Sequence, residues 1–190
     1  MYMFSGGTNF GFYNGSNCNP TFEPCITSYD YGAPVTECGD VTEQYYMLRK
    51  LLTGKTDKMP ERIKRAYGKV TEFKGASLFD NLDIIGKTHI SENAMTMEDL
   101  GQNFGYILYE MDIEGMSGDI DIGEPHDRAM FFDGNTLIGE YERGIDYKTV
   151  SVSGVNKLKI LVENMGRVNY GKRIFDKKGL LQNVKIGGRE

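Results

Sequence analysis

At 190 residues and 39% hydrophobic content, the chain is long enough for one or two domains with a modest core. A net charge of −5 and a pI near 5.2 argue against a nucleic-acid partner, because neutralising phosphates requires a basic surface. No apolar run approaches the ~20 residues that span a bilayer, so no membrane partner is expected. No basic stretch followed by an apolar one marks a signal peptide, and the compartment stays unassigned.

Met1 to Ser5 is an apolar and aromatic run of strand length, and Gly6-Gly7 stops it by allowing backbone angles closed to other residues. A loop is expected next. Thr8, Asn9, Asn14, Ser16, Asn17 and Asn19 offer uncharged donors and acceptors, while Phe10, Phe12, Tyr13 and Phe22 offer flat apolar faces. That mixture suits a sugar, whose hydroxyls need hydrogen bonds and whose ring faces lie well against aromatics. Asn and Gly also collect in turns for backbone reasons alone, so composition leaves both readings open. Cys18, Cys25 and Cys38 fit no zinc template, and their odd number favours free thiols over a Cys18–Cys25 bridge.

Asp40 is placed to cap a helix, with Glu43 three residues on and Val41, Tyr45, Leu48 and Leu52 forming one apolar stripe. Arg49 and Lys50 suit its carboxyl end, and Gly54 closes it. Residues 55–65 are charged, contain Pro60 and read as a linker. A strand is expected over 66–73, a surface segment over 78–85, a short polar-apolar step over 97–100 and a core strand over 105–111. Asp119-Ile120-Asp121-Ile122 alternates strictly, which puts both carboxylates on one strand face; a calcium loop needs a fuller oxygen set, so solvent-facing carboxylates are expected. Asp133-Gly134 signals a hairpin returning through 136–139, and 150–152 and 158–162 repeat the alternation around Gly154. Strands and turns at this spacing predict a β-sandwich.

His89 and His126 have no partner at ligand spacing and read as structural, and Lys172, Arg173, Lys177 and Lys178 read as a solvated basic face. No nucleophile elbow, P-loop, dinucleotide fingerprint or zinc-protease motif is present, and no metal or cofactor is expected.

Several spaced motifs carry a resemblance across essentially the whole chain. Tyr2-Met3-Phe4, Gly6-Gly7-Thr8-Asn9-Phe10, Asn14-Gly15 and Thr27-Ser28-Tyr29-Asp30-Tyr31, with Ala33-Pro34, Glu37 and Gly39, resemble the end of the catalytic barrel of glycoside hydrolase family 35 β-galactosidases. His126-Asp127-Arg128-Ala129 with Asp133-Gly134, and Val162 to Gly171 (VENMGRVNYG), resemble two stretches of the β-sandwich that follows that barrel. The resemblance implies a mainly β fold: a jelly-roll-like sandwich over 66–190, incomplete at its carboxyl end, after a linker at 55–65 and the last strand-helix unit of a (β/α)8 barrel over 1–54. It implies a retaining β-galactosidase acting on a β-galactoside, with galactose as the bound sugar. A non-catalytic β-sandwich module with a structural or weak carbohydrate-binding role is the alternative.

Retaining glycosidases need two carboxyl groups about 5 Å apart. In the resembled family both are glutamates on earlier barrel strands, so no catalytic residue is assigned here, and Glu23, Glu37 and Glu43 match neither motif. Tyr2 and Tyr31 match tyrosines that reach the galactose site, and Asn9 is expected to position the loop. Gly32 stands where the family more often carries Asp. A lone barrel strand at Met1 to Phe4 leaves unpaired edges, so that segment is expected to dock on the sandwich, to lose order, or to form a homo-oligomer with another copy.

Overall fold

The computed structural model describes residues 3–145 and 148–190. Tyr2, one of the three expected site residues, lies outside the described residues. The molecule is mainly β, and its contacts divide it into two compact units: residues 1–10 with 27–81, and residues 11–26 with 82–190.

In the first unit the main regular element is helix α1 (Glu43–Thr53). Its cap is Thr42 rather than the expected Asp40: the Thr42 hydroxyl accepts from the Tyr45 amide at 3.4 Å, while Asp40 forms an ion pair with Lys64 instead. Both residues are good caps, and the choice falls on the one whose extended backbone directly precedes the first helical turn. Gly54 closes the helix in the left-handed conformation, its amide donating to Lys50 at 2.9 Å, as the sequence predicts. No residue of α1 is buried, and Leu52 from the expected stripe is exposed.

Two expected strands do not form among the described residues of this unit. Met3 and Phe4 are not in a strand, and Ser5 makes only a single parallel bridge to Val35. Residues 66–73 carry no regular structure, with Tyr67 and Phe73 almost fully exposed. A run of strand-forming residues needs a neighbour to hydrogen-bond with, and neither stretch finds a ladder. Residues 79–85 form helical turns with no buried residue, a 3-10 turn at Phe79–Asn81 that runs into α2 (Leu82–Ile85).

The second unit holds two sheets. The larger has the order β5 (Thr136–Glu142), β4 (Arg128–Asp133), β6 (Ser151–Glu163), β3 (Tyr106–Asp121), β8 (Lys185–Ile186), with all neighbours antiparallel. The two alternating stretches expected at 105–111 and 119–122 are the ends of the single 16-residue strand β3. It continues through an irregularity between Asp112 and Met116, where Glu114 and Gly115 take positive φ and re-aim the chain. Ile120 and Ile122 are buried and Asp119 and Asp121 exposed, as their alternation predicts. The Asp133-Gly134 hairpin joins β4 to β5 with Asp133 opposite Thr136. Central β6 is flanked by β4 and β3 and is buried on both faces from Leu158 to Val162, which is why that run is nearly continuous in apolar residues. Phe131, Leu158, Ile160, Val162, Met97 and Leu180 form the middle of the core.

The smaller sheet was not expected. What reads as an Asn-rich loop contains a hairpin, β1 (Gly15–Cys18) against β2 (Phe22–Cys25), and β1 pairs in parallel with β7 (Arg167–Val168). Register also decides the cysteines. Cys25 stands opposite Gly15, three residues along the strand from Cys18, so a bridge between them is out of reach and none of the three cysteines is in a disulfide among the described residues. Gly166 lies so close to Gly15 that a Cβ there would stand 2.6 Å from the Gly15 carbonyl oxygen. The Asn14 amide donates to the Met165 carbonyl, and Ser16 Oγ donates to the Gly166 carbonyl at 2.9 Å. Two motifs about 150 residues apart in sequence are thus neighbours in space.

One correction concerns charge. Lys172, Arg173 and Lys177 are exposed, but Lys178 is completely buried, and so is Asp127. Lys178 Nζ donates to both Asp127 oxygens at 2.8 Å and lies 3.0 Å from Asp176; Arg143 pairs with Asp127 at 3.1 Å and Asp176 at 2.8 Å. The Met165 amide also donates to Asp127, at 3.0 Å, and the Phe22 ring covers both cations at 4.5 and 4.7 Å. His126 is structural, its Nδ1 2.7 Å from the Lys177 carbonyl oxygen. Burial would push the Asp176 carboxyl up, but the Arg143 guanidinium and then the Lys178 ammonium outweigh it and hold it below the ordinary carboxylate range. Burial also drives the Tyr109 hydroxyl up to about 12, where it stays protonated and donates to the Met95 carbonyl at 2.7 Å.

Removing one member leaves the others buried and uncompensated. Lys178→Ala is expected to cost about 3–5 kcal/mol and to lower the thermal midpoint by roughly ten degrees, read by circular dichroism. Because the Asp176 carboxyl is depressed in the fold, its contribution is complete above the unfolded carboxylate range and is lost as pH falls through its lowered value. Midpoints measured from neutral pH down to about pH 3 are expected to fall less steeply in Asp176→Asn than in the parent.

Candidate functional site

Two of the expected site residues lie on facing runs of the first unit. Residues 5–9 and 27–31 are joined by an antiparallel bridge between Thr8 and Ser28, by the Asn9 amide donating to the Thr27 carbonyl at 2.7 Å, and by the Tyr29 amide donating to the Gly7 carbonyl at 3.1 Å. Gly6 makes the approach feasible, since a Cβ there would sit 2.0 Å from the Tyr29 carbonyl oxygen. Asn9 belongs to the first run and is half-buried; Tyr31 ends the second and is 68% exposed.

The turn that presents Tyr31 is closed by Asp30, whose Oδ1 accepts from the Gly32 and Ala33 amides, each at 3.0 Å. Gly32 has a φ of 73°, so glycine suits this left-handed position and its own amide supplies part of the local hydrogen bonding. The Tyr31 ring meets Tyr29 edge to face at 5.0 Å. Its hydroxyl has no hydrogen-bond partner among the described residues, which leaves an exposed phenol able to donate to or accept from a hydroxylated ligand.

Glu37, which matches no catalytic motif, turns out to organise the pair of runs. Its carboxylate accepts from Thr8 Oγ1 at 2.7 Å, Ser28 Oγ at 2.8 Å and the Tyr29 amide at 3.2 Å. The Thr8 hydroxyl, and after it the Ser28 hydroxyl, hold the Glu37 carboxyl below its ordinary range. The available signal in sequence was chemical: a carboxylate near two hydroxyl residues in a stretch with very little charge. Spacing gave none, because Thr8, Ser28 and Tyr29 stand 29, 9 and 8 positions from Glu37.

The two carboxylates near Tyr31 both accept hydrogen bonds, Glu37 from Thr8, Ser28 and the Tyr29 amide, and Asp30 from its own turn. Among the described residues no group of three or more His, Cys, Asp or Glu could hold a metal ion. Among the described residues no helix is long and apolar enough to cross a membrane.

One unit is mainly β and built around a buried Asp127–Lys178–Arg143 cluster; the other carries an aromatic, hydroxyl-rich pair of runs. Comparison with known families makes this specific. Residues 94–190 match the model described as "Beta-galactosidase, first all-beta domain", and residues 1–54 match "Glycosyl hydrolases family 35". The chain belongs to the family 35 β-galactosidases. It is 42% identical to Beta-galactosidase 8 of Oryza sativa subsp. japonica over 99% of this chain and 32% of that protein. It is 41% identical to Beta-galactosidase-1-like protein 2 of Homo sapiens over 98% of the chain and 31% of that protein. For Beta-galactosidase of Bos taurus the figures are 39% identity, 100% and 31%. The chain therefore spans about a third of the length of the curated relatives it matches.

Gly6→Ala is expected to push the two runs apart, because the added Cβ meets backbone that cannot swing aside. Faster amide hydrogen exchange at residues 27–31, with the amides of β4 and β6 unchanged, is the expected reading.

Proposed function

We propose that this chain supplies part of the wall of a galactose-binding cleft in a retaining β-galactosidase, and that the two catalytic glutamates belong to polypeptide outside residues 1–190. What carries the reading is the exposed hydroxyl of Tyr31, without a hydrogen-bond partner among the described residues, on a backbone tied down on both sides, within a chain of this family. Tyr2 is assigned the same role from its motif, and Asn9 holds the first run against the second. A tyrosine suits a pyranose because its ring face lies against C–H groups while its hydroxyl bonds a sugar hydroxyl. No proton transfer or nucleophilic attack is assigned to this segment. Glycoside cleavage with retention needs a carboxylate to attack the anomeric carbon and a second carboxyl to protonate the leaving oxygen, about 5 Å apart.

The 190-residue chain alone is expected to show no turnover of a chromogenic β-galactoside; turnover abolished by Glu37→Gln or Glu43→Gln would overturn the assignment. The wall is tested in a complete family 35 enzyme carrying residues 1–190 in place of its matching segment. There Tyr31→Phe is expected to lower kcat/KM about tenfold, the worth of one hydrogen bond of roughly 1.4 kcal/mol.

A further inference from the structure

Glu37 stands apart from both the catalytic chemistry and the wall itself, yet donors from two separate runs converge on it. Thr8 Oγ1 donates to one oxygen at 2.7 Å, and Ser28 Oγ and the Tyr29 amide donate to the other at 2.8 and 3.2 Å. The Tyr29 amide is shared with the Gly7 carbonyl at 3.1 Å, so the same backbone group is held both by the first run and by Glu37. We propose that Glu37 is a positioning residue for galactoside binding: its carboxylate clamps residues 7–9 to residues 28–31 and thereby fixes where the Tyr31 ring and hydroxyl stand. The proposal rests on the reading of Tyr31 as a wall residue given above.

The Tyr31 side chain makes little fixed contact of its own. It is largely exposed and touches one ring, so its place in space is set by the backbone that carries it. That backbone is held by Asp30 on the downstream side and, on the upstream side, by Glu37 together with the Gly7 carbonyl. An exposed carboxylate without a role is hydrated by water; this one exchanges water for three protein donors, and hydrogen bonds to a charged acceptor are stronger than neutral ones. The same hydroxyls keep the group ionised below the usual carboxylate range, so the clamp is charged at neutral and mildly acid pH and is released as pH falls through that lowered value.

The chemistry distinguishes two substitutions. Glu37→Ala removes every acceptor. Glu37→Gln keeps one oxygen for Ser28 and Tyr29 and presents an NH2 that the Thr8 hydroxyl can accept from, since a hydroxyl serves either way.

Two measurements test the proposal. In the 190-residue chain, Glu37→Ala is expected to speed amide exchange at residues 28–31 by about tenfold, with β4 and β6 unaffected and Glu37→Gln close to the parent. In the complete enzyme carrying residues 1–190, Glu37→Ala is expected to raise KM for a β-galactoside about tenfold with kcat within about twofold, Glu37→Gln to restore most of it, and Glu37→Ala to add little on a Tyr31→Phe background. Unchanged exchange in Glu37→Ala overturns the clamp whatever Tyr31 does. Faster exchange with unchanged KM, while Tyr31→Phe is impaired, overturns the positioning role and leaves the wall intact. An active enzyme indifferent to Tyr31→Phe overturns the wall reading and with it the role given to Glu37, while exchange still reports whether the clamp exists.

Discussion

The β-rich unit depends on one buried carboxylate. Asp127 is fully withdrawn from water, and each of its oxygens is occupied: Lys178 reaches both, Arg143 reaches one and the Met165 amide the other. Its backbone is pinned as well, with its amide donating to Glu163 and its carbonyl accepting from Arg143. Four pieces of chain therefore meet at one residue: the start of β4, the turn after β5, the segment leading into β7 and the stretch before Leu180. Charges this deep contribute little net stability, because desolvation offsets most of their attraction. What they impose is uniqueness, since any other arrangement strands a charge in an apolar core.

The loop pair of the other unit uses the same chemistry under opposite conditions. Glu37 is exposed, so water screens it and competes for its donors. Its value lies in geometry: three short contacts set the spacing of two runs that make few apolar contacts of their own. Gly6 allows that spacing, and Asp30 shapes the turn beyond it. A surface carboxylate can thus matter greatly for the position of Tyr31 while contributing little to folding.

Much of the sandwich was legible in the sequence. The Asp119 to Ile122 alternation, the Asp133-Gly134 turn and the apolar run at 158–162 announce their structures because period, turn chemistry and burial are local properties. The helix ending at Gly54 was readable for the same reason, although its cap moved from Asp40 to Thr42. Expectations failed where a partner distant in sequence decides. The run at 3–5 has strand composition but finds only a single bridge to Val35, and the run at 66–73 forms no ladder, whereas Gly15–Cys18 has loop composition and becomes a strand because β7 and β2 flank it. In the candidate site, Asn9, Tyr31 and Glu37 were all visible as motif residues; Glu37 was set aside because it matches no catalytic motif, and its gathering of Thr8 and Ser28 shows only in the fold because those donors are scattered along the chain.

By itself the sequence determined the family, the mainly β character and the turns, since motif spacing, side-chain period and glycine placement are written along the chain. Only the tertiary structure decided that Lys178 lies inside rather than in the solvated basic cluster, that the cysteines stay apart and that Glu37 gathers Thr8 and Ser28. These outcomes depend on strand register and on which distant groups are brought together when water is excluded, and neither is recorded in any local stretch of residues.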